Sequence, residues 1–296
     1  MTFLHKIRAS LVLIGITLNT LAMAVPLFSL ALIKLLIPIT GVRIRLSKML
    51  VWVAESWISI NSLLIDLISR PRWCVEGLEG LGKDKWYLVI SNHQTWADIL
   101  VLQRVFNGRI PFLKFFLKQE LIKVPILGLA WWALDFPFMK RYTRAEIEKN
   151  PELKGKDLDT TRKACEKFAH FPTSVMNFFE GTRFSRSKHN EQRSPYRHLL
   201  RPRAGGAAFT LNAMGGKLDT LLDITIVYPR HGQPSMFAFL GGAVREVRVF
   251  IRQQPIPAWA SQGDYENDQQ FRERFQVWVS ELWQQKDGLL ASQSPA

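Results

Sequence analysis

Acidic residues and cysteine are the scarce classes in this chain. Against 39 lysines and arginines stand 25 aspartates and glutamates, a net charge of +14 over 296 residues. A surface of that sign attracts phospholipid headgroups, nucleic acid or phosphorylated small molecules, and composition alone does not choose among them. The 2 cysteines, Cys74 and Cys165, lie far apart and form no CxxC pair. That argues against a disulfide framework or a thiolate zinc site and fits a reducing compartment. The chain has no Gly-x-Ser-x-Gly elbow, so a serine nucleophile on such a turn is excluded. His170, His189, His198 and His231 lack ligand spacing, and no metal is expected. No nucleic-acid motif and no internal repeat is present, and no nucleic acid is expected as a partner. Trp52, Trp57, Trp131 and Trp132 sit inside apolar runs, where core or lipid contact is a better reading than base stacking.

What the chain has in quantity is apolar sequence, 47% of all residues, enough to exclude global disorder and to bury a substantial core. Ala9 to Ile33 carries no charge over 25 residues. A helix rising about 1.5 Å per residue would let that segment cover the roughly 30 Å hydrocarbon core of a bilayer. Pro26 interrupts the run, so a kinked span or a re-entrant segment is as consistent as a straight one. A cleaved signal peptide is the rival reading, with Lys6 and Arg8 as its basic region and Ala22-Met23-Ala24 as a cleavage site. The apolar run continues past Ala24 to Ile33, which favours a retained anchor. After basic residues Arg43, Arg45 and Lys48, the positions Leu50, Val53, Trp57, Ile60, Leu64 and Leu67 recur at helical spacing. Glu55, Ser59, Ser62 and Asp66 form the opposite stripe. The pattern suits a helix in the headgroup region, or one packed on the first segment, more than a second clean span. Positive charge on both sides of the first segment leaves its orientation open.

From about Trp73 onward, short apolar runs alternate with helical stretches. Strands are predicted at Cys74 to Leu78, Tyr87 to Ser91, Ile110 to Phe116, Phe136 to Met139, Ser174 to Phe179 and Asp223 to Tyr228, with a late edge strand at Val244 to Arg252. Helices are predicted at Ala97 to Val105, Leu117 to Ala133, Leu158 to Ala169 and Gly206 to Met214. A last one presents Phe271, Phe275, Trp278 and Leu282 on one face. The alternation specifies an α/β class, a layered domain with a central mixed sheet flanked by helices. The division expected is 1–70 for membrane-anchoring helices and 71–296 for the catalytic domain with its C-terminal helix. Arg183 to Arg203 is the longest loop expected.

Three strand ends carry candidate chemistry. Ser91-Asn92-His93-Gln94-Thr95-Trp96-Ala97-Asp98 lies where a strand ends and a helix begins. A fold-back there can bring the Asp98 carboxylate to the His93 ring, fix its tautomer and leave the other nitrogen free to take a proton from a hydroxyl. Thr95-x-x-Asp98 also resembles a capping box with aspartate in place of glutamate, a purely structural alternative. Phe178-Phe179-Glu180-Gly181-Thr182-Arg183 ends a second strand; Gly181 permits a sharp turn and Arg183 offers a fork matched to phosphate. Phe136-Pro137-Phe138-Met139-Lys140-Arg141 ends a third, where a solvated basic turn is the plain reading.

Together these blocks resemble the glycerophosphate and lysophosphatidic acid (PlsC-like) acyltransferase superfamily: a histidine and aspartate with four residues between them, a Phe-x-x-Arg block at Phe138 to Arg141, and Glu-Gly-Thr-Arg at Glu180 to Arg183. The runs Phe184 to His189 and His198 to Arg203 bring it nearer the lysocardiolipin-type and bacterial YihG-type subgroup. The likeness covers roughly residues 75 to 230. It implies one-step transfer of an acyl chain from acyl-CoA or acyl-carrier protein to a lysophospholipid hydroxyl, with no cofactor. His93 would be the general base and Asp98 its orienting partner. Arg141 and Arg183 would hold the acceptor phosphate, with Glu180, Gly181 and Thr182 completing the substrate site. Backbone N–H groups near the histidine turn would stabilise the oxyanion. Membrane lipids are implied as partners, and a bacterial inner membrane as the location, with the catalytic domain on the cytoplasmic side. Asp135 stands where the family often has glycine, Phe179 where it usually has proline, and the fourth block reads Asp223 to Pro229. These departures leave the acceptor headgroup open.

Overall fold

The computed structural model describes residues 1–139, 150, 171–229 and 232–293. Helix α1, Phe3–Leu36, begins at a capping box in which the Thr2 side chain accepts from the His5 backbone and the His5 ring reaches back to Thr2 N–H. It runs without a break through Pro26. Helix α2, Thr40–Leu64, folds back along it and ends in a π-turn at Ile65–Ser69. Polar groups join the pair inside their apolar contact. Asn19 Nδ2 donates to Asn61 Oδ1 at 2.8 Å, and Trp57 Nε1 donates to Thr20 Oγ1 at 3.0 Å.

Both helices are also docked onto the rest of the chain. Ala9 and Val12 of α1 enter the main apolar core. A Cβ added at Gly241, the C-cap of the short helix α7 (Met236–Leu240), would lie 2.4 Å from the His5 carbonyl oxygen, so only glycine admits α1 that closely. At the far end Lys34 Nζ pairs with Asp135 Oδ2 at 2.6 Å. The α2 backbone and Ser59 receive the Asn107 amide at 3.1 and 2.8 Å.

Among the described residues, the main sheet has six strands: β1 Arg72–Glu76, β2 Tyr87–Ser91, β3 Leu113–Phe115, β6 Ser174–Asn177, β7 Thr220–Val227 and β8 Glu246–Pro255. A small second sheet pairs β4, Leu117–Lys118, with β5, Phe138–Met139. The large sheet has the order β1-β8-β7-β2-β6-β3, and β7 with β8 is its one antiparallel pair. It is therefore mixed, and helices cover both faces. β2 shows why. Its residues alternate between Tyr87 and Val89, which meet α3 (Ala97–Phe106) and α1, and Leu88 and Ile90, which meet α6 (Ala204–Ala213) and α8 (Gln269–Gln293). A strand buried on both faces reads as an unbroken apolar run, as Tyr87 to Ile90 does.

Three expectations are corrected. The strand expected at the sheet edge, β8, lies inside the sheet between β1 and β7. Its alternating polar residues, which suggest a solvated edge, are partnered by other elements: Arg248 bonds Gln293 of α8 at 2.8 Å, and Arg252 meets Asp223. The helix expected over Leu117 to Ala133 is broken into β4, a 3-10 turn at Gln119–Lys123 and α4 at Leu127–Ala133. Pro125 and the left-handed Ile126 (φ 63°) separate the pieces. The long loop contains a short helix α5, Arg186–Glu191, capped by the Ser185 hydroxyl. The helix expected at Leu158 to Ala169 lies outside the described residues.

Beneath the sheet, α8 inserts a lysine rather than another apolar side chain. Lys286 is fully buried, ion-paired with Asp223 of β7 and bonded to the Ile224 carbonyl, while Arg252 takes the other side of the same carboxylate. Burial pushes the Lys286 ammonium below its ordinary pKa, and Asp223 pulls it back. Removing one member of such a group strands the other. Lys286→Met should therefore cost about 3–5 kcal/mol of stability, read from denaturant unfolding of the solubilised protein. Unchanged stability would show that the pair contributes nothing net.

Candidate active site

Because β7, β2 and β6 are parallel neighbours, their C-terminal ends reach the same edge of the sheet. The loops that leave them carry His93, Glu180 and Tyr228. Topology alone thus gathers residues separated by more than a hundred positions.

The turn after β2 is tied down at both ends. The Asn92 side chain is fully buried and copies a strand pairing. Its Oδ1 accepts from Ile226 N at 2.8 Å, and its Nδ2 donates to Ile226 O at 2.9 Å. Thr95 Oγ1 donates to the Pro234 carbonyl at 2.6 Å. Between these anchors the chain curls around Asp98, which stands in the first turn of α3. Asp98 Oδ2 accepts from Gln94 N at 2.7 Å, Thr95 N at 2.9 Å and His93 Nδ1 at 2.9 Å. Oδ1 accepts from the Tyr228 hydroxyl at 2.7 Å. The Asp98 carboxylate therefore reaches back to the turn as a capping residue would, and holds the imidazole as well. The structural and chemical readings of this spacing coexist.

Since Oδ2 already faces two backbone N–H donors, the ring nitrogen turned toward it must carry its proton. Nε2 is then the imidazole's free acceptor. The His93 ring is stacked on Phe178, with centroids 3.9 Å apart and planes within 14°. Its side chain is 12% exposed, against 0% for Asp98. Burial and the Asp98 charge push the Tyr228 phenol well above its ordinary pKa, so it stays a neutral donor.

Of the other expected residues, Glu180 is bonded directly into this turn. Its Oε1 accepts from His93 N at 2.9 Å and its Oε2 from Leu200 N at 3.0 Å. Gly181 adopts φ 66°, and a Cβ there would come within 3.0 Å of the Arg203 side chain. Thr182 Oγ1 accepts from Lys188 Nζ at 2.7 Å. Arg183 is exposed, and its guanidinium lies 4.6 Å over the Trp96 ring, beside the start of α3. Phe184 N donates to His93 O at 2.7 Å and locks the two loops together. Arg141 lies outside the described residues.

The oxyanion donors expected near the histidine turn carry no residue assignment in the sequence, and the structure removes three candidates. His93 N–H is taken by Glu180, and Gln94 and Thr95 N–H by Asp98, so these three are not free for a substrate. The sequence does not distinguish Tyr228, Phe178 and Asn92 from their neighbours. All three lie inside the blocks above, but nothing in a single sequence says which aromatic faces the histidine.

The chain matches a model of the Acyltransferase family over residues 72–229. It is 26% identical over 216 residues to mouse (Mus musculus) 1-acyl-sn-glycerol-3-phosphate acyltransferase gamma, covering 68% of this chain and 52% of the relative. Lysocardiolipin acyltransferase 1 of Gallus gallus is 24% identical over 249 residues, covering 79% and 61%. The chain thus spans little more than half the length of these relatives. Among solved structures, the 1-acyl-sn-glycerophosphate acyltransferase PlsC of Thermotoga maritima superposes with a TM-score of 0.53, at 20% identity, covering 94% of this chain and 97% of its own. That likeness supports the fold.

Glu180 is fully buried, and desolvation raises its pKa from 4.5 to about 7 despite two backbone hydrogen bonds that favour the charge. A pKa raised on folding stabilises below the unfolded value and loses that contribution as pH climbs through the folded one. Relative to Glu180→Gln, the wild type should lose on the order of 3 kcal/mol between about pH 4.5 and 7. Paired unfolding curves across that range check it, and a pH-independent difference would contradict the assignment.

Proposed function

The chain belongs to the Acyltransferase family, and from that premise we propose that it transfers a fatty acyl chain from a thioester donor, acyl-CoA or acyl-carrier protein, to the free sn-2 hydroxyl of a lysophospholipid at a membrane surface. The observation that carries this is His93 held by Asp98 through Nδ1, with a partly exposed side chain whose Nε2 makes no hydrogen bond among the described residues. An acceptor hydroxyl that gives its proton to Nε2 as its oxygen attacks the thioester carbon needs no enzyme nucleophile, because the thiolate is already a good leaving group. Collapse of the tetrahedral species forms the ester bond and breaks the carbon–sulfur bond. The departing sulfur takes the proton from the imidazolium, and the histidine returns to its starting state.

Asp98 balances the transient positive charge, and the Phe178 stack keeps the ring plane fixed while the proton moves. Arg183, exposed and oriented by Trp96, is suited to the acceptor phosphate. Arg141 is proposed as a second phosphate ligand on the resemblance alone. One named relative acts on 1-acylglycerol 3-phosphate and another is named for lysocardiolipin, so both acceptor types belong in the assay.

A lipid acceptor calls for a membrane face. α1 and α2 leave Leu11, Leu18, Val25, Leu32, Trp52 and Leu63 exposed. Apolar exposure on this scale marks a contact with lipid or protein. Because α1 packs closely on the domain at His5 and is ion-paired to it at Lys34, we read the pair as lying along one leaflet rather than as an upright span. Arg43, Arg45 and Lys48 are exposed at the start of α2, where anionic headgroups would meet them.

Purified protein given oleoyl-CoA and a panel of lysophospholipids should yield the diacyl product by mass spectrometry. His93→Ala should lower the rate at least about a hundredfold, the lower range for general acid–base catalysis. Near-normal transfer by the folded variant would remove His93 from that role. In vesicle flotation the chain should partition with lipid, and reversing Arg43, Arg45 and Lys48 to glutamate should weaken binding to anionic vesicles at about 1 kcal/mol per residue or more. Equal flotation of both proteins would place those charges away from the membrane.

A further inference from the structure

Beside the histidine turn the surface opens into a cleft of about 330 Å³ in which basic and amide side chains stand among apolar ones, Phe184, Val227 and Leu290. Arg186 comes from the first turn of α5, and Arg197 and His198 from the segment that follows it. Gln94, Tyr228 and Gln233 complete the inner wall. No carboxylate lines it among the described residues, and neither arginine has an acidic partner there. The nearby carboxylate of Asp287 is engaged by the backbone, accepting from Arg197 N at 2.8 Å and His198 N at 2.7 Å. This fixes the loop that presents the two side chains. His198 Nε2 is buried and has no hydrogen-bond partner among the described residues.

The cleft also touches the candidate active site without including its phosphate arginine. Gln94 and Tyr228 bond the Asp98 carboxylate from the turn side and from β7, whereas Arg183 lies over Trp96 and does not line the cleft. Two guanidinium forks, an unpartnered imidazole nitrogen and the Gln233 amide form a donor set matched to a phosphate oxyanion, while the Gln94 amide donates to the Ile226 carbonyl at 3.1 Å. The volume lies at the small end of the range for ligand pockets and exceeds what one water needs.

We propose that this cleft is a second phosphate-binding site, which receives a phosphate carried by one of the two substrates at a distance from the reacting ester. The nucleotide phosphates of a CoA thioester and the second phosphate of a two-phosphate acceptor share this chemistry. The identity of the carrier rests on the acyl-transfer reading, but the anion site does not.

The test uses the solubilised full chain, with sodium pyrophosphate as the calorimetric probe. The wild type should bind it, and Arg186→Gln/Arg197→Gln should weaken binding at least about tenfold, as expected when charge-assisted hydrogen bonds are lost. If the double variant fails to fold, Gln233→Glu, which sets a carboxylate in the cleft, should produce the same loss. In the kinetic arms, a raised KM for oleoyl-CoA with an unchanged KM for oleoyl-pantetheine assigns the site to the nucleotide. A raised KM for lysocardiolipin with an unchanged KM for 1-acylglycerol 3-phosphate assigns it to the acceptor. Absence of pyrophosphate binding by the wild type, affinity unchanged in the variants, or weakened binding with neither KM moved overturns the proposal. Pyrophosphate binding without acyl transfer to any acceptor would leave the anion site standing and remove the functional reading.

Discussion

Four donors converge on the buried carboxylate of Asp98: two backbone N–H groups, an imidazole and a phenol. A carboxylate with no solvent contact is costly unless its lone pairs are occupied, so the chain around it has little freedom to rearrange. The same bonds that satisfy the charge set the histidine turn, choose the proton-bearing ring nitrogen and attach β7 to the start of α3. Local structure and proposed chemistry thus have one cause, and a change that disturbs the turn also disturbs the base.

The surrounding fold protects this arrangement from several directions. Asn92 extends the pairing of β2 with β7 by one side chain, so the turn leaves the sheet from a fixed point. Glu180 joins His93 N–H to Leu200 N–H and couples the turn after β2 to the segment leading into α6. Deeper still, Lys286 and Arg252 enclose Asp223 on the neighbouring strand. Buried charge recurs from the sheet floor to the site, and each charge is held by groups from different elements. Such networks favour one arrangement over near alternatives when every member is satisfied.

Much of this was legible in the sequence where one residue's environment follows from its neighbours. The run Tyr87 to Ser91 reads as a strand from its short apolar character, and its observed bounds match. His93 and Asp98 are close in sequence, so a short turn suffices to join them. Legibility ended where partners come from distant elements. Arg248 and Arg252 suit an exposed strand until α8 and β7 supply their partners, so the interior position of β8 does not show in its own residues. Lys286 lies on a helix with apolar neighbours, and nothing local shows that it points inward toward Asp223. Tyr228 and Phe178 have the composition of ordinary core aromatics, and only the parallel order of β6, β2 and β7 turns them toward one imidazole.

The central claim is that Asp98 holds the neutral imidazole with its proton on Nδ1, leaving Nε2 as the acceptor. Nitrogen-15 NMR of histidine-labelled protein near pH 8, with the resonance assigned by its loss in His93→Gln, observes this directly. The account predicts a protonated Nδ1 and a bare Nε2. A proton resident on Nε2 in the neutral ring would contradict it.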